Sequence, residues 1–155
     1  MGLSKELQIG KAGEHLVCCD LILQGFNAFL ADQGLPFDML VEKNEGLKRI
    51  QVKTTSSLSD YGKSKRIYRF GTRKGKGAMT RVREAEVDYY AFVALDIRKI
   101  AYISIKEMLS RNGKVKQTMD FKSRQVEYVG RIYSNGTVRK PEWGKYFEDF
   151  GKFRI

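Results

Sequence analysis

The strongest constraint on the fold is a pair of extended segments that flank a short turn. Residues 37–42 and 47–55 predict two antiparallel strands around the turn 43–46, with Glu42 paired to Leu47. A slip of one residue would exchange the two faces of each strand, so this pairing fixes which side chains meet. The sequence therefore predicts a β-hairpin of defined register.

The hairpin brings three polar side chains to one patch. Its register places Asp38 opposite Gln51, and side chains alternate faces along a strand, so Gln51 and Lys53 share a face. Directly opposed positions have Cβ atoms roughly 5 Å apart, and diagonal neighbours about 7–8 Å. A carboxylate, an amide oxygen and an ammonium held on rigid strands can bind a hard cation and a water molecule beside a phosphate. The patch therefore indicates nuclease chemistry.

A second carboxylate is predicted on a helix that precedes the hairpin. Ser4 is a suitable N-cap and Gly25 a suitable stop for this helix. One stripe of it contains Leu7, Gly10, Glu14, Val17 and Leu21. A charge inside such a stripe is costly unless it is paired or metal-bound, so we expect Glu14 to face the hairpin; the alternative is a stripe-edge Glu that reaches solvent. Gly10 and Gly13 are expected to let the helix approach the sheet closely.

Composition favours a polyanionic partner. The chain has 155 residues, which we interpret as a single domain spanning 1–155, and its 29 Lys and Arg against 18 Asp and Glu give a formal charge of +11.

No apolar run is long enough to span a bilayer, and the N-terminus lacks a signal-peptide core. The two adjacent cysteines, Cys18 and Cys19, fit neither a disulfide framework nor a zinc site. We therefore expect reduced, packing cysteines in a cytoplasmic protein.

Other chemistries are disfavoured by the same sequence. His15 is the only histidine, which leaves too few imidazoles for a histidine-based metal nuclease or a zinc finger. The glycine-rich segment 71–77 has the wrong spacing for a phosphate-binding P-loop. Asn135-Gly136-Thr137 is interpreted as a hairpin turn and not as a glycosylation site.

The remaining elements are predicted from periodicity and turn residues. Strands are expected at 27–31, 66–70, 87–95, 100–105 and 126–133, and helices at 105–111 and 141–150. The last helix would carry Trp143, Tyr146, Phe147 and Phe150 on one face, as a core or dimer-interface stripe.

Three short motifs follow one another in the chain: Gly13-Glu14 on the helix, Pro36-Phe37-Asp38 on the first hairpin strand and Gln51-Val52-Lys53 on the second. They resemble the helix motif, the metal-binding aspartate and the (D/E)xK element of the PD-(D/E)xK nuclease superfamily. Within it, the chain is most similar to the group I intron-associated homing endonucleases, with the archaeal Holliday-junction resolvases second. The resemblance implies an α/β, restriction-endonuclease-like core with a central mixed β-sheet flanked by helices.

The resemblance also implies a Mg²⁺ site. Its implied ligands are Asp38, Gln51, the backbone carbonyl of Val52 and Glu14. Lys53 would orient the attacking water or neutralise charge on the phosphate. The superfamily has Asp or Glu at the position of Gln51, whose neutral amide holds a metal less tightly. Either Gln51 is a working ligand, or Glu14 compensates for the lost charge, or the site is inactive and only binds DNA. We favour the first two together, because Lys53 is retained in register.

The implied substrate is double-stranded DNA, cut by a homodimer or homotetramer, since two strands require two sites. Basic residues around the cleft are expected to contact it: Lys63, Lys65, Arg66, Arg73, Lys74, Lys76, Arg81 and Arg83. Two alternatives remain, a Holliday-junction resolvase and a non-catalytic nucleic-acid-binding module.

Overall fold

The structure is a computed structural model and describes residues 2–42, 44, 46–59, 64–73, 86–127, 130–139 and 145–154. Its regular elements, in chain order, are α1 Lys5–Leu23, β1 Asn27–Leu30, β2 Met39–Glu42, β3 Leu47–Thr55, β4 Ser64–Lys65, β5 Tyr68–Gly71, β6 Tyr89–Ala94, β7 Lys99–Ser104, the 3-10 helix Ile105–Met108, β8 Thr118–Lys122, β9 Gly130–Ile132, β10 Val138–Arg139, β11 Lys145–Tyr146 and the 3-10 helix Phe147–Asp149. Within the described residues, no helix has the length and hydrophobicity needed to cross a membrane.

The predicted hairpin is present. β2 pairs antiparallel with β3, and Glu42 lies opposite Leu47. Gly46 has φ of 109°, a left-handed conformation that glycine adopts without strain. One residue before β2, the N–H of Asp38 donates to the carbonyl of Ile50 at 2.9 Å, so Asp38 still faces β3. The register prediction is confirmed for the paired residues.

The hairpin is part of a five-stranded mixed sheet with the strand order β1-β2-β3-β6-β7. β3 and β6 are parallel, and the other neighbours are antiparallel. Asp88, just before β6, accepts hydrogen bonds at 2.8 to 3.1 Å from both the backbone and the guanidinium of Arg49 on β3. These backbone and side-chain hydrogen bonds together fix the parallel register of β3 and β6, which positions the centre of β3.

Helix α1 covers one face of this sheet. Ser4 caps it by accepting the N–H of Leu7 at 3.3 Å, and Gly25, with φ of 88°, follows its C-cap as predicted. Val17 and Leu21 are fully buried in a core with residues of β2, β3 and β6. Leu7 is 54% exposed, so the N-terminal part of the predicted apolar stripe lies outside the described core.

Of the two helix glycines, only Gly13 allows the close approach that the sequence predicted for both. A Cβ atom added at Gly13 would lie 1.8 Å from Oγ1 of Thr54 on β3, whereas one added at Gly10 would have no neighbour within 4 Å. The helix therefore rests on β3 at Gly13, immediately beside Glu14.

Gly13→Ala is expected to destabilise the protein by about 1–3 kcal/mol, because overpacking forces the helix and β3 apart. Gly10→Ala is the matched control and should stabilise by roughly 0.5–1 kcal/mol, since alanine is the better helix former. Urea unfolding measures both effects. Changes of the same sign at the two positions would contradict the proposed contact.

The other face of the main sheet is covered by β5, β8 and β11, which form a three-stranded sheet in the order β11-β8-β5. Its core is aromatic: the Phe121 ring lies 5.1 Å from that of Phe92 and 4.9 Å from that of Phe147, centroid to centroid. In the described residues, the mixed sheet is thus flanked by α1 on one side and by this small sheet on the other.

The C-terminal third departs most from the sequence prediction. The helix predicted at 141–150 is wrong over its described part, where β11 pairs parallel with β8 and a 3-10 turn, Phe147–Asp149, follows. Phe147 is buried by rings of the neighbouring strands, so tertiary packing outweighs the helical spacing. Trp143 lies outside the described residues.

Smaller corrections apply elsewhere. Arg66 has φ of 58° and precedes the strand, which begins at Tyr68. The predicted helix at 105–111 is the shorter 3-10 helix Ile105–Met108. β8 was not predicted. Of the strand predicted at 126–133, Gly130–Ile132 is a strand, 126–127 are not, and 128–129 lie outside the described residues. The hairpin turn at Asn135-Gly136 is confirmed, with Val138 opposite Ile132.

Candidate active site

Asp38 lies where β2 begins and joins the two predicted motifs directly. Its Oδ2 accepts the side-chain amide of Gln51 at 2.6 Å and the backbone N–H of Val52 at 2.7 Å. The structure therefore brings Asp38 and Gln51 together, as the hairpin register predicted. Val52 enters the site through its backbone, since its side chain is buried in the core under α1.

The backbone of β3 presents a carbonyl at the same place. The N–H and C=O groups of one strand residue point to the same edge, and the edge alternates from residue to residue. The backbone N–H and C=O of Ile50 point toward β2, because the Ile50 carbonyl accepts from the N–H of Asp38. The backbone groups of Arg49 and Thr55 point toward β6, because their carbonyls accept from the N–H groups of Asp88 and Leu95. The carbonyl of Val52 therefore faces the β2 side, beside the Asp38 carboxylate.

The charge of Glu14 acts on the Asp38 carboxylate. Burial raises the pKa of Asp38, and the negative charge of Glu14 raises it further, while the Val52 N–H and the charges of Lys53 and Lys11 oppose the shift. The Glu14 side chain is only 17% exposed. Two carboxylates thus share a partly buried site in which a cation would relieve both the burial cost and the mutual repulsion.

Lys53 lies on the face of β3 opposite to α1. It is paired in register with Phe92, and its Nζ donates to the carbonyl of Arg73 at 3.3 Å. Burial lowers the pKa of Lys53, and the charge of Asp38 acts against this shift. The phenol of the fully buried Tyr90 donates to the neighbouring carbonyl of Thr72 at 3.3 Å. Thr72 and Arg73, which follow β5, therefore lie over the lysine.

Sequence reasoning missed Lys11. Its Nζ lies 2.8 Å from Oε2 of Glu14, three residues further along α1. The i, i+3 spacing is a sequence signal for such a pair. Its closeness to Asp38 is visible only in the fold.

The donor set fits a hard divalent cation. Two carboxylates, an amide and a backbone carbonyl supply the oxygen ligands that Mg²⁺ accepts, and this ion usually keeps several waters. Among the described residues, no group of three or more His, Cys, Asp or Glu is placed to hold a metal, so the amide and carbonyl oxygens of Gln51 and Val52 would be needed. Gln51 turns its nitrogen toward Asp38, and rotating the amide would present its oxygen instead.

The predicted DNA-contacting residues are only partly described. Lys63, Lys74, Lys76, Arg81 and Arg83 lie outside the described residues. Arg73 is exposed and donates to the side chain of Gln117, while its carbonyl contacts Lys53. Lys65 belongs to the short strand β4. Arg66 is exposed, and its Nε donates to the carbonyl of Glu127 at 3.0 Å. Of this set, the described contacts bring Arg73 to the site.

Known proteins provide an independent comparison. The model of the PD-(D/E)XK endonuclease family matches residues 4–131 of the chain. The structure of a bacterial homing endonuclease, I-Ssp6803I, superposes with a TM-score of 0.57 at 15% sequence identity, covering 92% of this chain and 84% of that one. Comparison with curated protein sequences gives no significant match. The structural similarity confirms the restriction-endonuclease-like α/β fold. Because the family match spans most of the chain and includes all three motifs, the protein belongs to the PD-(D/E)XK endonuclease family.

Proposed function

We propose that this endonuclease hydrolyses phosphodiester bonds of double-stranded DNA in a Mg²⁺-dependent reaction at the Asp38 cluster. The observation that carries the proposal is the contact of the Asp38 carboxylate with the Gln51 amide and the Val52 N–H. This contact supports the proposal because it joins Asp38 to two other residues of the implied ligand set, and the charge of Glu14 acts on the same carboxylate.

The residues of the site have complementary tasks. Asp38, Glu14, the Gln51 amide oxygen and the Val52 carbonyl would hold Mg²⁺. When bound, the ion polarises the phosphate and lowers the pKa of a coordinated water. Asp38 is anchored by the Val52 N–H, so its free oxygen is held in a fixed direction. This preorganisation keeps the reacting groups aligned for in-line attack.

Lys53 supplies the positive charge. Its side chain is half-buried and close enough to interact with Asp38, and its ammonium contacts the Arg73 carbonyl. We propose that it orients the attacking water or neutralises the charge that develops on the phosphate. Its contact with Arg73, in the glycine-rich segment 71–77, would link a proposed DNA-contacting residue to the chemistry.

The finer assignment is to a sequence-specific homing endonuclease encoded by a group I intron, working as a homodimer or homotetramer. The similarity to the fold of I-Ssp6803I supports it. The second candidate is a junction resolvase, which reads DNA shape instead of a long sequence.

One assay separates these functions. Supercoiled plasmid, linear duplex of defined sequences and a four-way junction are each incubated with the protein and Mg²⁺, with EDTA as control. We expect Mg²⁺-dependent nicking of duplex DNA at preferred sequences. Cleavage of the junction alone would identify a resolvase, and binding without cleavage of any substrate would identify a non-catalytic module.

Gln51→Glu is expected to bind divalent metal more tightly, because it introduces the carboxylate of the superfamily motif on a side chain of the same length. The same change places two carboxylates in contact and removes the 2.6 Å hydrogen bond to Asp38, so the metal-free protein should be less stable. Calorimetric metal titration and thermal unfolding without metal measure the two effects. Weaker metal binding by the folded variant would exclude Gln51 as a ligand.

Neutralising Arg73, Lys74 and Lys76 together is expected to weaken binding to all DNA sequences. The slope of log affinity against log salt should become shallower by about 0.9 per lost phosphate contact, roughly 2–3 in total. Neutralising Lys106, Arg111 and Lys114, which are exposed beyond β7, removes the same charge as a control. If the loop variant loses discrimination between sequences but keeps its salt slope, the loop reads bases instead of phosphates.

A further inference from the structure

Lys11 is a cation that the three sequence motifs do not include, and it lies against the acidic side of the site. Its ammonium is 2.8 Å from Glu14 Oε2. The hydrogen bond and charge of Glu14 raise the pKa of Lys11, and the charge of Asp38 adds to this increase. One ammonium therefore interacts with both carboxylates of the proposed metal site.

This arrangement differs from an ordinary ion pair on a helix surface. In a surface pair both side chains are solvated, and the interaction contributes little. Here the Glu14 side chain is 17% exposed against 40% for Lys11, and Asp38 adds a second, half-buried carboxylate. Two such carboxylates without a cation would repel each other at a cost that the solvent only partly screens.

The metal and the ammonium would interact with the same carboxylates. A divalent ion at this site must coordinate carboxylate oxygen, and Oε2 of Glu14 is engaged by Lys11. Both cations cannot lie at contact distance from one carboxylate without repelling each other. Binding of the metal and retention of the Lys11–Glu14 contact are therefore in competition.

We propose that Lys11 is the built-in counter-ion of the metal-free site and that a divalent cation displaces it from Glu14. Lys11 is thus a positioning residue, which holds Glu14 and Asp38 together until metal arrives and sets how tightly metal binds. The inference rests on the metal-dependent activity proposed above.

The test is a titration with Mn²⁺, which carboxylate and carbonyl sites accept and whose free concentration is measured by electron paramagnetic resonance. Wild type is compared with Lys11→Met, which has similar helix propensity, with the charge-retaining Lys11→Arg and with the exposed control Lys106→Met. No DNA is needed, so the readout is independent of cleavage.

We expect Lys11→Met to bind Mn²⁺ about 2- to 5-fold more tightly than wild type, as removal of a partly exposed competing charge implies. Lys11→Arg and Lys106→Met should stay close to the wild-type value. Metal-free Lys11→Met should melt at a lower temperature and gain more from added Mn²⁺. In a Glu14→Gln background, the effect of Lys11→Met on affinity should shrink, because only the interaction of Lys11 with Asp38 remains. A merely structural role of Lys11 would not produce this dependence on Glu14.

Two outcomes would overturn the inference in distinguishable ways. If wild type binds Mn²⁺ and Lys11→Met binds it equally or less tightly, Lys11 is an ordinary helix-surface residue while the proposed function stands. If wild type does not bind Mn²⁺ and shows no metal-dependent cleavage, both the inference and the proposed function fail.

Discussion

Asp38→Asn is expected to abolish DNA cleavage and to make the metal-free protein more stable at neutral pH. Burial and the charge of Glu14 raise the pKa of Asp38, so its ionised form costs the folded state stability. Asparagine has the same shape and keeps an oxygen that can accept the Val52 N–H, but it carries no charge. Cleavage should fall by about 10³-fold or more, since a metal contributes several kcal/mol of transition-state stabilisation and each ~1.4 kcal/mol is a factor of ten.

The gain in stability should depend on pH in a defined direction. Well below the ordinary carboxyl pKa, Asp38 is protonated in both the folded and the unfolded protein, and the two variants should be equally stable. As pH rises from that value through the raised folded-state pKa, the wild type loses stability relative to the variant. Thermal unfolding from acidic to neutral pH measures the difference. Asp32→Asn, in the exposed loop before β2, is the matched control. A less stable Asp38→Asn protein at neutral pH would contradict this account of the site.

Lys53→Met is expected to lower the cleavage rate by about 10²–10³-fold, the usual effect of removing one preorganised donor from developing charge. The fold should persist, because the charged ammonium is disfavoured by burial and methionine fits such a position. DNA affinity, measured by fluorescence anisotropy, should change little, since the site contacts a single phosphate of a long duplex.

Lys48→Met is the matched control for this prediction. Lys48 belongs to the same strand but lies five residues away, and an odd separation places it on the opposite face. Its removal should leave the cleavage rate near that of wild type. Equal losses in both variants would mean that β3 tolerates no change of charge and that Lys53 has no particular role.

The features that local chemistry determines were predictable from sequence. A serine N-cap and a following glycine mark the ends of α1, and the asparagine–glycine turn marks the β9–β10 hairpin. The hairpin register follows from alternation and turn length alone, and it was enough to bring Asp38 and Gln51 together.

Features that depend on distant contacts were not predictable in the same way. Phe147 has helical spacing to its aromatic neighbours, yet it is buried by β8 and follows a strand. Met119 and Phe121 alternate with polar residues, a signal from which β8 could have been found. The i, i+3 spacing of Lys11 and Glu14 could also have predicted their ion pair, but no local pattern reveals that Asp38 lies near this pair. Such proximity arises only when α1 packs on the sheet at Gly13.

The most direct test of the central claim is Mg²⁺-dependent cleavage of supercoiled plasmid by wild type and Asp38→Asn, purified in parallel and assayed over a range of Mg²⁺ concentrations. We predict that wild type nicks the plasmid, that EDTA stops the reaction, and that Asp38→Asn is inactive at every Mg²⁺ concentration although it is folded and binds DNA. Cleavage by Asp38→Asn at the wild-type rate would contradict the assignment of the Asp38 cluster as the active site.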